Sequence, residues 1–235
     1  MSLPLEPAHS KNISPDARQY AYRIIKKQIL EFSFIPGQKL NEIDLSKFLN
    51  VSRTPVHDTL NKLSRENLVD IISQRGAFVS YIDIFRIKQA AWTHSQLGSA
   101  MLQTIIIRQR SHADLGFLKY TLKQLEDLLS LGDDTQTVRL ITEFHHQLYI
   151  ISGKMEYIWS AVQNTDGDLR RLLYLATRNS SVALGLLNEL QALYNALAQK
   201  NLSLACEIYS SHFDRILMLI PVMQELYPSY FEGNT

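Results

Sequence analysis

The chain has 235 residues, 46% of them hydrophobic and 20% charged, which excludes a disordered or fibrous protein. One cysteine, Cys206, excludes an internal disulfide and a cysteine-held zinc, and the longest apolar run, Ile216 to Met223, is far short of the roughly 20 residues of a membrane span. The net charge of +1 is unevenly spread: residues 1–80 hold 11 Lys+Arg against 8 Asp+Glu, residues 81–235 hold 13 against 15, and an anionic partner is expected at the N-terminal end.

Residues 1–14 are polar, lack a periodic apolar pattern and are expected to form a loose arm without a secretory core, which places the protein in a reducing cytoplasm. Ser14-Pro15 reads as a helix start, followed by Tyr20, Ile24, Ile25, Ile29 and Phe32 on one face and by the breaker Ile35-Pro36-Gly37. Asn41 is expected to cap a second helix that holds Ile43, Leu45, Phe48 and Leu49 and stops at Asn50. Ser52 is the cap expected for a third, with Val56, Leu60 and Leu63 inward and Arg53, Thr54, His57, Asp58 and Asn61 outward. Two short β-rich runs around Gln74-Arg75-Gly76 read as a hairpin, so residues 15–82 are expected to form a winged helix-turn-helix. From residue 83 to 230 the periodicity is helical, over about 83–108, 112–131, 134–151, 154–178, 181–199 and 201–226. The breaks fall at Gly132-Asp133-Asp134, Ser152-Gly153 and Asn179-Ser180, and short links predict an antiparallel all-α bundle.

The stretch IPGQKLNEIDLSKFLNVSRTPVHDTLNKLSRENLVDIISQRGAFVS, Ile35 to Ser80, closely resembles the DNA-binding domain of the GntR family of bacterial regulators. The later part resembles the all-helical FCD effector domain of the FadR-type branch, through Phe144-His145, Ser152-Gly153, Ala196-Leu197 with Asn201 and Ala205, and His212. The ending Tyr227-Pro228-Ser229-Tyr230-Phe231 is similar to endings in that branch, with no role attached to it.

A recognition helix presents its first turn to base edges in the major groove. Ser52 and Thr54 are suited to phosphate and Arg53 to a guanine fork. The resemblance implies that Arg53 and His57 approach bases and that the wing tip Arg75-Gly76 enters the minor groove. The family usually carries arginine where this chain has His57, so its half-site sequence is not transferred.

FCD domains that bind metal use an Asp four residues before the histidine of the Phe-His pair and two later histidines. Here His145 and His212 fill two of four positions, while Ile141 and Leu190 fill the others with apolar groups, leaving an incomplete metal site and no expected cofactor. Trp92 stands where an arginine is common in the branch and Gln96 where a Glu is common. With Tyr149, one turn after His145, these residues predict an effector pocket of Trp92, Gln96, Ile141, His145, Tyr149, Leu190 and His212 that takes a neutral or apolar molecule or none. No nucleophile elbow, phosphate loop or Cys-His pairing supports an enzyme. The expected function is a transcription regulator that binds a short palindromic operator as a homodimer, modulated by a small molecule. The alternative is a sequence-tolerant architectural DNA binder with a degenerate pocket.

Overall fold

One or two apolar residues per turn make α1 (Ala17–Leu30), which buries Ala21, Ile25, Ile29 and Leu30. The computed structural model describes residues 17–108, 115–131, 136–153 and 156–233, so the expected arm 1–14, the Ser14-Pro15 start and the Gly132-Asp133-Asp134 break lie outside the described residues. Just beyond α1, Phe32 adopts φ 61°, a left-handed conformation that costs a non-glycine residue about 1–2 kcal/mol. Phe34 donates its amide to the Gln28 carbonyl at 2.9 Å, and the Phe32 ring stacks on Tyr230 at 5.3 Å, which holds the reversal in place.

The next elements are β1 (Lys39–Leu40), α2 (Glu42–Leu49), α3 (Arg53–Arg65), β2 (Val69–Ile72) and β3 (Gly76–Val79). Asn41 caps α2 by accepting the amides of Ile43 and Asp44 at 2.8 and 3.3 Å, and Asn50 ends it at φ 53°. β3 lies between β1 and β2 in an antiparallel sheet, with Val69 opposite Val79 and Ile72 opposite Gly76. β1 adds Lys39 opposite Phe78 and Leu40 opposite Ala77, a third strand beyond the expected hairpin. Between α1 and α3, the half-buried Lys26 donates to the buried Glu66 at 2.8 Å, and Tyr22 donates to the same carboxylate at 2.8 Å.

Among the described residues eight α-helices follow: α4 (Ile84–Arg108), α5 (Gly116–Ser130), α6 (Thr137–Ser152), α7 (Glu156–Gln163), α8 (Gly167–Ala176), α9 (Ser180–Ala198), α10 (Leu202–Leu217) and α11 (Ile220–Leu226). Gly153 closes α6 at φ 76°, and Asn179 opens α9 by accepting the Ser181 amide at 2.9 Å. The expected helix 154–178 is two helices, because Asn164, Thr165 and Asp166 form a turn in which Thr165 bonds its hydroxyl back to the Val162 carbonyl. The expected helical stretch 201–226, where Pro221 allows either a kink or an end, also divides. Pro221 has no amide to continue the ladder, so a turn at Met218-Leu219 separates α10 from α11, and the proline falls in the tolerated first turn of the new helix.

The chain forms two compact units. One runs to Asp83 and includes the stretch from Tyr227 onward; the other is Ile84–Leu226. Residues 227–230, expected with the helical domain, thus belong to the first unit. There Ile82 donates its amide to the Tyr230 carbonyl at 2.9 Å, Glu232 donates back to the Ile82 carbonyl at 3.0 Å, and Phe231 is fully buried. In the second unit α10 packs along α4, and a buried ionic network holds the start of α4 to α8. Asp168 accepts from Arg86 at 2.6 Å and from the fully buried Arg171.

Candidate DNA-reading surface and buried cavity

α3 buries Val56, Leu60 and Leu63 together with Pro55 and Thr59, which fixes its rotation and leaves Ser52, Arg53, Thr54 and His57 exposed. Ser52 occupies the N-cap position in extended conformation, yet its hydroxyl makes no cap hydrogen bond. Arg53 and His57 lie one turn apart and converge on a residue the sequence did not single out. Glu42, first in α2, sits with its Oε1 2.8 Å from His57 Nδ1 and its Oε2 3.7 Å from Arg53 Nη2. Arg53 and His57 remain exposed beside this shared carboxylate.

At the wing, Ser73, Gln74 and Arg75 connect β2 to β3, with Gln74 at φ 62° and Gly76 at φ 105°. Arg75 donates its amide to the Ile72 carbonyl at 3.0 Å, and its exposed guanidinium lies 5.9 Å from the Phe78 ring centre. Lys39 lies at the same distance from that ring. The wing therefore presents two cations on an aromatic platform. Lys62 instead rests over the Tyr22 ring at 3.6 Å.

In the helical unit, a cavity of about 30 Å³ is lined by His94 of α4, Ile141, Thr142 and His145 of α6, and His212, Phe213 and Ile216 of α10. Trp159, Asp166, Leu169, Arg170 and Leu173 complete the wall. Of the seven residues expected here, Ile141, His145 and His212 line it. Trp92 is 66% exposed and Gln96 is also exposed, because α4 buries the stripe Ile87, Ala91, His94, Gly98, Met101 and Ile105, and both residues lie off it. Tyr149 and Leu190 are buried but outside the lining.

His94, to which the resemblance attached no role, also faces the cavity. Its ring stacks on Phe213 at 4.7 Å and meets His145 edge-on at 6.1 Å, while His145 and His212 are 5.2 Å apart between ring centres. His212 is held by Glu189 at 2.7 Å from its Nδ1, and Arg215 bonds the other oxygen of that carboxylate at 2.5 Å. His94 Nδ1, His145 Nε2 and His212 Nε2 are buried without a hydrogen-bond partner. Burial and the neighbouring His212 depress His94 to about 3 and His145 well below its ordinary value, so both rings are neutral at physiological pH. Burial, with Asp166 nearby, pushes Tyr149 up to about 12.

A divalent ion in this place needs three or four ligands at close range. Among the described residues no three His, Cys, Asp or Glu side chains are grouped so as to hold one, and Ile141 supplies no donor. The wall is also more polar than the sequence led us to expect. Arg170 is largely buried, its Nε has no partner, and its Nη1 stands 3.9 Å from Asp166.

Residues 17–79 match the family described as bacterial regulatory proteins, gntR family, and residues 92–215 match the FCD domain. The chain is 24% identical over 200 residues to the HTH-type transcriptional repressor RspR of Escherichia coli K12, covering 81% of this chain and 82% of the relative. It is 22% identical over 194 residues to the HTH-type regulator YdhC of Bacillus subtilis, covering 82% and 86%. Solved structures share the fold. A GntR regulator from Rhodococcus sp. RHA1 aligns with a TM-score of 0.75 at 20% identity over 88% of this chain and 99% of that one. McbR/YncC of E. coli aligns with a TM-score of 0.74 at 18% identity over 91% and 100%. With both units matched, the chain belongs to the GntR family of bacterial transcription regulators, a DNA-binding and ligand-modulated protein with an FCD effector domain rather than an enzyme.

Proposed function

We propose that this regulator, in the cytoplasm, reads a short two-fold symmetric operator as a homodimer, with Ser52, Arg53, Thr54 and His57 at the major groove and Arg75-Gly76 at the minor groove. The observation that carries the reading is the exposed first turn of α3, where Arg53 and His57 share the Glu42 carboxylate. Ser52 and Thr54 suit phosphate at the helix N-terminus, and Arg53 suits bidentate contact to a guanine. One such module contacts few base pairs, and a dimer doubles the contact, so operator symmetry follows from protein symmetry. The effector enters at the cavity around His94, His145, His212 and Arg170. Arg53→Ala tests the reading: affinity for an operator selected with the wild-type protein falls by more than about tenfold, consistent with the 1–3 kcal/mol of a bidentate base contact. Unchanged affinity would remove α3 from the role.

A further inference from the structure

The chain enters the helical unit at Ile84 and leaves it at Leu226, after which residues 227–233 are built into the first unit. This return is not a loose end. Phe231 is fully buried, Tyr230 stacks on Phe32 at 5.3 Å with the rings 14° apart, and Tyr227 stacks on Tyr230 at 5.6 Å. The two backbone bonds to Ile82 fasten the segment at the point where the chain departs for the helical unit. Phe32, its aromatic partner, is the residue held at φ 61° between α1 and β1.

The other end of the segment leads back to the cavity. Tyr227 follows α11, which is joined to α10 by the two-residue turn Met218-Leu219 and packs on α8. α10 brings His212, Phe213 and Ile216 to the cavity, and α8 brings Leu169, Arg170 and Leu173. A cavity of about 30 Å³ has room for one or two waters, whereas small-molecule sites measure roughly 300–1,000 Å³. Any organic occupant therefore has to spread the helices that line the cavity, and two of them bear on α11.

On the reading of the chain as an operator-binding regulator, we propose that residues 227–232 form a strap that transmits the state of the cavity to the DNA-binding unit. Occupancy displaces α10 and α8, α11 follows, and the strap pulls on Ile82 and Phe32. This gives the aromatic ending the role that the sequence left without one.

The test substitutes a larger side chain for an occupant. In the full-length protein, Ile141→Trp is made alone and with Phe231→Ala, and the affinity of each protein for the operator selected by wild type is measured. Ile141→Trp alone changes that affinity by about fivefold or more, the lower end of typical coupling between sites. With Phe231→Ala present, the change contributed by Ile141→Trp shrinks to within about twofold. An equal change in both backgrounds, or none in either, overturns the strap while leaving operator binding intact. If wild type selects no operator, the regulator reading fails first and the strap with it. Leu173→Phe replaces Ile141→Trp if the latter does not fold. Hydrogen exchange provides a readout independent of DNA: either cavity variant lowers the protection of the Ile82 and Glu232 amides, and unchanged protection overturns the proposal.

Discussion

At the scale of single residues, His94 shows how burial fixes chemistry. An imidazole stacked on Phe213, facing His145 and His212 in a wall that also holds Arg170 and Asp166, loses its hydration and cannot hold a proton at neutral pH. Its pKa falls from the ordinary 6.5 to about 3 on folding, so below pH 6.5 the unfolded chain takes up a proton that the folded chain refuses. Stability is therefore fully present above pH 6.5 and is lost as pH falls from there toward 3, by about 2 kcal/mol at pH 5 for this one residue. His145, depressed in the same direction, adds to the loss. Thermal melts at pH 7 and pH 5 read this directly. His94→Phe keeps the stack on Phe213 and removes one titration, so its stability varies less with pH than that of wild type; an equal dependence contradicts the assignment. His94 was legible in principle, since it falls on the 4-3-4-3-4 stripe from Ile87 to Ile105. Position-by-position comparison with the family drew attention to Trp92 and Gln96, on which helical phase imposes the opposite orientation. Glu42 carried no such signal, because a pairing between the first residue of α2 and the side chains of α3 exists only once the helices are packed.

At the scale of elements, α4 and α10 approach closely because Gly98 has no side chain. A Cβ there would stand 2.3 Å from two ring carbons of Tyr209, which is fully buried. Gly98→Ala improves helix propensity by up to about 1 kcal/mol, but overpacking costs about 1–3 kcal/mol, so a net loss of stability of about 1–2 kcal/mol is expected in denaturant unfolding. A gain in stability contradicts this account of the helix pair. The same balance of local and tertiary effects governs what the sequence revealed. Asn41, Asn50, Gly153 and Asn179 carry their cap chemistry locally, so α2, the end of α6 and the start of α9 were readable. β1 is two residues long and has no periodicity to detect; only its pairing with β3 makes it a strand. Between α7 and α8 the turn residues Asn164-Thr165-Asp166 stand directly before Gly167, and between α10 and α11 Pro221 removes an amide, so each division rests on single hydrogen bonds made or missing.

At the scale of the whole molecule, Phe85 and Trp92 stand seven residues apart on the exposed face of α4, at 65% and 66% exposure. Two large apolar side chains on one helix face suit an interface between copies rather than a pocket wall. Trp92→Glu therefore converts the proposed dimer to monomer in sedimentation at micromolar concentration without loss of helical content. A variant that sediments like wild type places the interface elsewhere. The separation into a DNA-binding unit and a helical unit was readable because the hairpin ends where an uninterrupted helical period begins. The return of residues 227–232 to the first unit was not, since no local pattern reveals a partner nearly 150 residues upstream. No helix among the described residues is long and apolar enough to cross a membrane.

Recognition of one DNA sequence by the first turn of α3 and the wing is tested by selection of genomic fragments with the full-length protein at about 150 mM salt, where nonspecific phosphate binding is weakened. A single motif with two-fold symmetry is expected to be enriched, and the enrichment to be lost with Arg53→Ala. Patternless enrichment that falls steeply with salt, and is indifferent to Arg53→Ala, would contradict it.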